Sequence, residues 1–223
     1  MAVTKVFPRA AEPALSDVSF VVERGELAVL GGPGGSGKST VLKLIIGRTW
    51  ATSGVVHVNG WNVTGLHGRR LAAFRRTIGY VPQRALLLGD QTAYQNVAFA
   101  LTAQGRSPGV ARRVVPELLE LVGLGGKEHL FPFELSVGER RRVAIARAIV
   151  HRPAAVLIDD PAADLDPDTA IEIYRLLISV ARTGAAILLT ATGLMLTAMA
   201  DVRVIHLEGG RVVEDLGVNL RRT

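Results

Sequence analysis

"GGPGGSGKST", residues 31–40, lies between the apolar run "LAVL" (27–30) and "KSTVLKLIIGR", where Val41, Leu42, Ile45 and Ile46 recur at helical spacing. A glycine-rich loop between a strand and an amphipathic helix has the pattern of a P-loop. Its physics is local: successive backbone amides curl around an anion, the glycines let the chain approach it, and the helix N-terminus adds its positive end. Gly32, Pro33, Gly34, Gly35, Ser36 and Gly37 would form the cradle. Lys38 would reach the outer phosphates, Ser39 would offer a hydroxyl to magnesium, and Thr40 completes the set.

Such a loop needs a second acid to complete the magnesium site, and "LIDDPAADLD" (157–166) supplies one. The apolar run before it reads as a buried strand, and in sheets of this type a strand ending in Asp159 places a carboxylate beside the P-loop serine. Asp160, one residue further, is placed to orient a water against the terminal phosphate or to accept its proton.

The elements around these motifs alternate. Val18 to Val22 and Glu26 to Leu30 read as short strands joined by a turn at Arg24 and Gly25. "GVVHVNGWNV" reads as a hairpin turning at Asn59 and Gly60. From about Gln91 to Val150 the apolar spacing is helical, with Ser107 and Pro108 as a helix start. Strands return at "AAVLIDD", "AAILLTA" and the pair "VRVIHLEGGRVVED". Strands and helices around a central helical insert argue for an α/β sheet core carrying a helical lobe.

Composition narrows the class. With 223 residues, 48% hydrophobic and 21% charged, the chain can bury a sizeable core, and its few aromatics leave that core to Val, Leu, Ile and Ala. No cysteine is present, which rules out disulfides and thiolate metal sites and fits a reducing cytoplasm. The net charge of +6 is carried mainly by arginines, spread in pairs rather than gathered into one tract; the only lysines are Lys5, Lys38, Lys43 and Lys127. The N-terminus has no apolar core of signal-peptide length. The uncharged stretch 183–200 approaches spanning length but is broken by Gly184 and Gly193, so a buried strand followed by a buried helix is expected.

Five features in order resemble the nucleotide-binding subunits of ABC transporters over nearly the whole chain. Phe7 lies where that family places an adenine-stacking aromatic, and the P-loop follows. "YVPQ" presents Gln83 as the Q-loop glutamine, "LSVGE" stands at the signature position, and "LIDDPAADLD" combines the Walker B strand with the D-loop. The resemblance implies a P-loop NTPase in one nucleotide-binding domain over 1–223: a mainly parallel sheet core, an N-terminal antiparallel β subdomain and a helical lobe at about 88–150. It implies MgATP held by the P-loop with Ser39, Gln83 and Asp159 at the metal. It further implies a second ATP-binding subunit, in a homodimer, so that Ser136 and Gly138 serve the opposite chain's ATP and Ala163 to Asp166 face that chain. Within the family, "FRRTIGYVPQ", "FPFELSVGERRRVAIARAIVHRP" and the short C-terminus look most like the cell-division branch of FtsE type, with lipoprotein-release and macrolide-efflux ATPases as near look-alikes. That branch implies a membrane subunit of the FtsX type docked on the helical lobe, and a peripheral place on the cytoplasmic face of the cell membrane.

Three departures bear on activity. Where the family has glutamate after the Walker B aspartate, this chain has Asp160, shorter by one carbon–carbon bond of ~1.5 Å. Thr192 stands at the family's switch histidine, and Val137 replaces the first signature glycine while Gly138 remains. Two readings stay open: a slow ATPase that still cycles, with Asp160, Gln83 and Thr192 as its catalytic set, or an ATP-binding dimerisation module that barely hydrolyses. Pairing with a more complete ATPase chain would rescue one site in part.

Other residues carry weaker signals. Glu139 to Arg142 reads as the solvated face of the helix after the signature. Arg75 and Arg76 would either meet partner acids or lipid headgroups or serve only as surface. The five histidines show no ligand spacing, and Trp50 and Trp61 read as packing residues. DNA-repair ATPases share the motifs above, but they carry coiled-coil or zinc-bearing inserts for which this chain has neither length nor cysteines, so no nucleic-acid partner is expected.

Overall fold

A computed structural model describes residues 2–191 and 202–217. Its centre is a six-stranded sheet of β3 (Leu27–Gly31), β6 (Ile78–Val81), β7 (Ala155–Asp159), β8 (Ala186–Thr190), β9 (Arg203–Glu208) and β10 (Arg211–Leu216), in the order β10-β9-β3-β8-β7-β6. All neighbours pair in parallel except β10, which runs antiparallel to β9 along one edge. β3 reads as a continuous apolar run because both of its faces are covered, and all five of its residues are buried.

The two faces build separate cores. Val29, Ile158, Ile187 and Leu189 join one cluster with helices α3 (Ala93–Thr102), α4 (Pro108–Leu121), α5 (Val137–Ile149) and α6 (Pro167–Arg182). Ala28, Leu30, Leu157 and Leu188, one residue out of phase, join the other with α1 (Lys38–Ile45) and α2 (Gly68–Arg75). Two small antiparallel pairs lie on that second side: β1 (Val3–Lys5) with β2 (Leu15–Val18), and β4 (His57–Val58) with β5 (Trp61–Asn62). The second pair turns at Asn59 and Gly60, both at positive φ (44° and 79°), as its Asn-Gly sequence requires.

The expected α/β core, the hairpin at 59–60 and the helical stretch between 91 and 150 are all present. One strand is displaced: ladder pairing covers Leu15–Val18, against β1, and not Val18 to Val22. Phe20 and Val22 pack against the second core without a neighbouring strand, so burial rather than pairing accounts for their apolar character. Helices α2 and α6 and the short β1 form where sequence reading singles out no element. The helix expected after the strand at 186–190 falls outside the described residues.

Where β6 crosses α5, a Cβ on Gly79 would come within 2.4 Å of the Ala148 carbonyl oxygen, a backbone atom that cannot swing away. Gly79→Ala is therefore expected to destabilise the fold by about 1–3 kcal/mol, read by denaturant unfolding. A loss below about 0.5 kcal/mol would mean that this crossing relaxes freely.

Candidate functional site

The C-terminal edge of the parallel strands gathers the sequence motifs, as expected where strands of an open α/β sheet point at a ligand. The loop after β3 is shaped by two glycines that no other residue replaces without strain. Gly32 has φ 136° and a Cβ there would lie 2.0 Å from the Leu207 carbonyl oxygen; Gly37 has φ 105° and its Cβ would lie 2.7 Å from that of Ala14. Cβ atoms on Gly34 and Gly35 would meet nothing within 4 Å, so one side of the loop is open while the other is pressed against the chain. Lys38 is 8% exposed. Its ammonium donates to the carbonyls of Gly32 (2.6 Å) and Pro33 (2.7 Å). Burial pushes its pKa below the usual lysine value, and the negative fields of Asp160 and Asp159 oppose that shift.

Across 120 residues of sequence, the Ser39 hydroxyl donates to Asp159 Oδ1 at 3.2 Å. A hydroxyl beside a carboxylate at the mouth of a glycine loop is a donor set suited to a small hard cation such as Mg²⁺ with phosphate ligands. Among the described residues no group of three or more His, Asp or Glu could hold a metal ion.

Thr190, passed over in the sequence, stands at the centre of this edge. Its strand register puts it opposite Asp159 on one side and Leu30 on the other. Its hydroxyl donates to Asp159 Oδ1 at 2.7 Å and accepts the Asp160 amide at 2.9 Å, so one buried side chain aims the first carboxylate and holds the backbone of the second. The signal was a lone polar residue ending an otherwise apolar strand.

Asp160 itself sits at φ 46°, in the left-handed region that aspartate tolerates better than most residues. Its negative field is felt by Lys38, by Arg141 and by Tyr174, whose hydroxyl is pushed up to about 12, first by burial and second by Asp160.

Ser136 caps α5: its hydroxyl accepts the Glu139 amide, and the Glu139 carboxylate accepts the Ser136 amide in return. Gly138 is buried because α5 passes close to α6, where a Cβ would lie 2.8 Å from Thr169 Cγ2. Ser136 and Gly138 share a cleft of about 810 Å³ with Asp164, Leu165 and Asp166. No residue of the glycine loop lines that cleft, so within one chain the signature and the P-loop are separate surfaces.

The run Glu139 to Arg142 is not a solvated face. Arg141 is 3% exposed and donates to the carbonyls of Pro82 (3.1 Å) and Gln83. Arg140 bonds the carbonyls of Pro132 and Leu135, and Arg142 bonds that of Val122 and the Glu172 carboxylate. Arg141 shares the buried helical stripe of Ala144, Ile145 and Ala148, and that spacing was the available signal. Arg75 is likewise structural: its guanidinium bonds the carbonyls of Ile46 and Gly47, which end α1.

Gln83 has an exposed side chain, and its backbone carbonyl accepts from Arg141. Phe7 is 37% exposed, with the Lys5 ammonium 4.8 Å from its ring centroid. Thr192 lies outside the described residues. The structure thus brings together Ser39, Asp159, Lys38 and, electrostatically, Asp160, while Ser136 and Gly138 line a cleft of their own in the single chain.

A family model described as ABC transporter matches residues 15–163. The chain is 44% identical over 213 residues, 96% of its length and 93% of the relative's, to the cell division ATP-binding protein FtsE of Mycobacterium tuberculosis. It is also 44% identical over 203 residues, covering 90% and 87% of the two chains, to the lipoprotein-releasing system ATP-binding protein LolD of Bordetella pertussis. Among solved structures, the dimeric post-hydrolysis state of an ATP-binding cassette bound to ADP and Pi matches with a TM-score of 0.86 and 31% identity, over 100% of this chain and 98% of that one.

Proposed function

The chain belongs to the ABC transporter family as an ATP-binding domain, and from that premise we propose that it is the FtsE-type subunit of a membrane complex, binding MgATP between two copies of itself. The observation that carries this reading is the meeting of Ser39 and Asp159 at 3.2 Å beside the open side of the glycine loop. Loop amides and the α1 N-terminus bind the phosphates, with Gly32 to Gly37 and Thr40 around them and Lys38 turned from the loop carbonyls to the outer oxygens. Ser39, Asp159 and Gln83 would hold magnesium, which when bound neutralises charge on the outer phosphates.

Phe7 packs against adenine. Ser136 and Gly138 act across the dimer, which accords with a cleft that no P-loop residue lines; Asp164 to Asp166 line the same cleft, and Ala163 to Asp166 meet the opposite copy. Asp160 takes the proton of the attacking water or orients that water, with Thr192 and Gln83 assisting. The whole of 1–223 acts as one nucleotide-binding domain. Its helical lobe, about 88–150, docks an integral membrane subunit of the FtsX type at the cytoplasmic face of the membrane, in cell division. Among the described residues no helix is long and apolar enough to cross a membrane.

A second reading rests on Asp160 itself: a carboxylate one bond short of the family glutamate favours a module that closes on ATP and hardly hydrolyses it. Export of lipoproteins or macrolides is the alternative setting, given the likeness to LolD.

Binding of MgATP tests the core claim. Wild-type protein is expected to bind it with micromolar to millimolar affinity, and Lys38→Ala is expected to weaken binding by about tenfold or more, the worth of one charge-assisted contact. Equal affinity of the two proteins, or no binding by wild type, overturns the assignment. Co-purification with an FtsX-type subunit, or with an exporter instead, separates the two settings.

A further inference from the structure

Between Glu26 and Asp90 there is no acidic residue, while the same 63 residues hold eight of the 26 lysines and arginines. The segment therefore carries +8 and the rest of the chain −2, since the total is +6. The arginine pairs look dispersed in sequence, but folding gathers them.

Arg75 ties α2 to the carbonyls that end α1. Gly47 lies against Leu71 of α2, and Trp50 stacks on His67, just before α2, at 4.8 Å. These contacts hold α2 against the end of α1, and Lys43, Arg48, Arg69, Arg70 and Arg76 are all exposed around that junction, the Arg48 side chain also bonding Tyr80. The four ion pairs among the described residues use Lys127, Arg142 and Arg203, so none of these five cations is neutralised in one.

A solvated helix face ordinarily interleaves both signs of charge; the exposed side of α2 and the end of α1 present one sign only. We propose that this face is an electrostatic contact for an anionic lipid surface, holding the subunit against the membrane beside its partner. The proposal rests on the membrane setting above; the charge distribution and the clustering stand without it. Lipid is favoured over nucleic acid because family membership places a membrane-embedded partner beside this subunit. The exposed Trp50–His67 pair, next to the cations, also has the amphipathic aromatic character found at headgroup level. Lys38 lies in the phosphate loop and takes no part.

The full chain is tested by co-sedimentation with vesicles of about one-third phosphatidylglycerol in phosphatidylcholine, against pure phosphatidylcholine, at about 0.1 M and about 0.5 M salt. Wild type is expected on the anionic vesicles only, released by the higher salt. Arg69→Glu with Arg70→Glu is expected to weaken partitioning by about tenfold or more, because each cation near such a surface contributes severalfold. MgATP affinity, read separately, stays unchanged. Arg112→Glu with Arg113→Glu, the same charge change on exposed positions of α4, is expected to leave partitioning within about threefold of wild type. Equal loss in both double variants would reduce the effect to net charge and overturn the proposal. So would binding to neutral vesicles, no binding to anionic ones, or tighter binding to duplex DNA than to anionic vesicles. Vesicle binding without MgATP binding would sink the nucleotide reading and leave this one standing.

Discussion

Replacing Asp160 with glutamate is expected to raise ATP turnover by about tenfold to a hundredfold at unchanged MgATP affinity, because the carboxylate gains ~1.5 Å of reach. Thr190 holds the Asp160 amide and Asp159 Oδ1 together, so the backbone from which the second carboxylate projects is set by the strand register of β7 and β8. A backbone held this way cannot slide forward to make up a missing methylene, and the left-handed φ of 46° is a further constraint on movement. Lengthening the side chain is then the direct repair. Lys38 and Arg141 both feel the negative field of Asp160, so two cations stand near this position. Steady-state turnover and equilibrium nucleotide binding, measured on the same preparations, separate chemistry from binding. An unchanged rate with intact binding would place the limiting defect elsewhere, with Thr192→His as the next substitution. A wild-type rate already near 1 per second or faster, within the ordinary enzyme range, would remove the premise that Asp160 is a weakened base.

The parts of this molecule that sequence reading captured are those whose cause is local. A strand, a glycine loop and a helix follow one another in 20 residues, and the amides that bind phosphate belong to the same loop, so the motif contains its own geometry. Asp159 was legible for a related reason: an apolar run that stops on an acid leaves few structural meanings once a P-loop is present. Thr190 and Arg141 were missed because their meaning lies in contacts 31 and 58 residues away. In sequence Thr190 is a strand-ending threonine, and Arg141 is the middle of three arginines. Only the strand order β3-β8-β7 places the threonine between two motif-bearing strands, and only the packing of α5 under β6 turns one of the three arginines inward. The same limit hid the basic face, since nothing local says that residues 43, 48 and 69–76 share a surface. Composition by segment held the clue in its absent acids.

Arg141→Ala is expected to destabilise the chain by about 2–4 kcal/mol, lowering the thermal midpoint by roughly 5–15 °C. Two opposing effects set that size. The guanidinium is buried, its Nε has no partner, and burial works against its charge, so the side chain carries a desolvation cost. Against this, it makes two charge-assisted bonds to the Pro82 and Gln83 carbonyls, and Asp160 and Asp164 lie within its field. Truncation removes both bonds and opens a cavity beneath the Q-loop, but Gln83 is exposed and its carbonyl can turn to water, which keeps the loss from rising further. Arg141→Lys keeps the charge while losing the fork that spans two carbonyls, so its stability should fall between wild type and alanine. The exposed Arg113→Ala serves as the control, expected within about 0.5 kcal/mol of wild type. If alanine at 141 matched that control, the guanidinium would be a passenger in the core. If the loss appeared in full, the helix that begins at the signature would be bonded to the Q-loop of its own chain. Closure of a dimer on ATP would then have to move both together, because separating them would break the same two bonds.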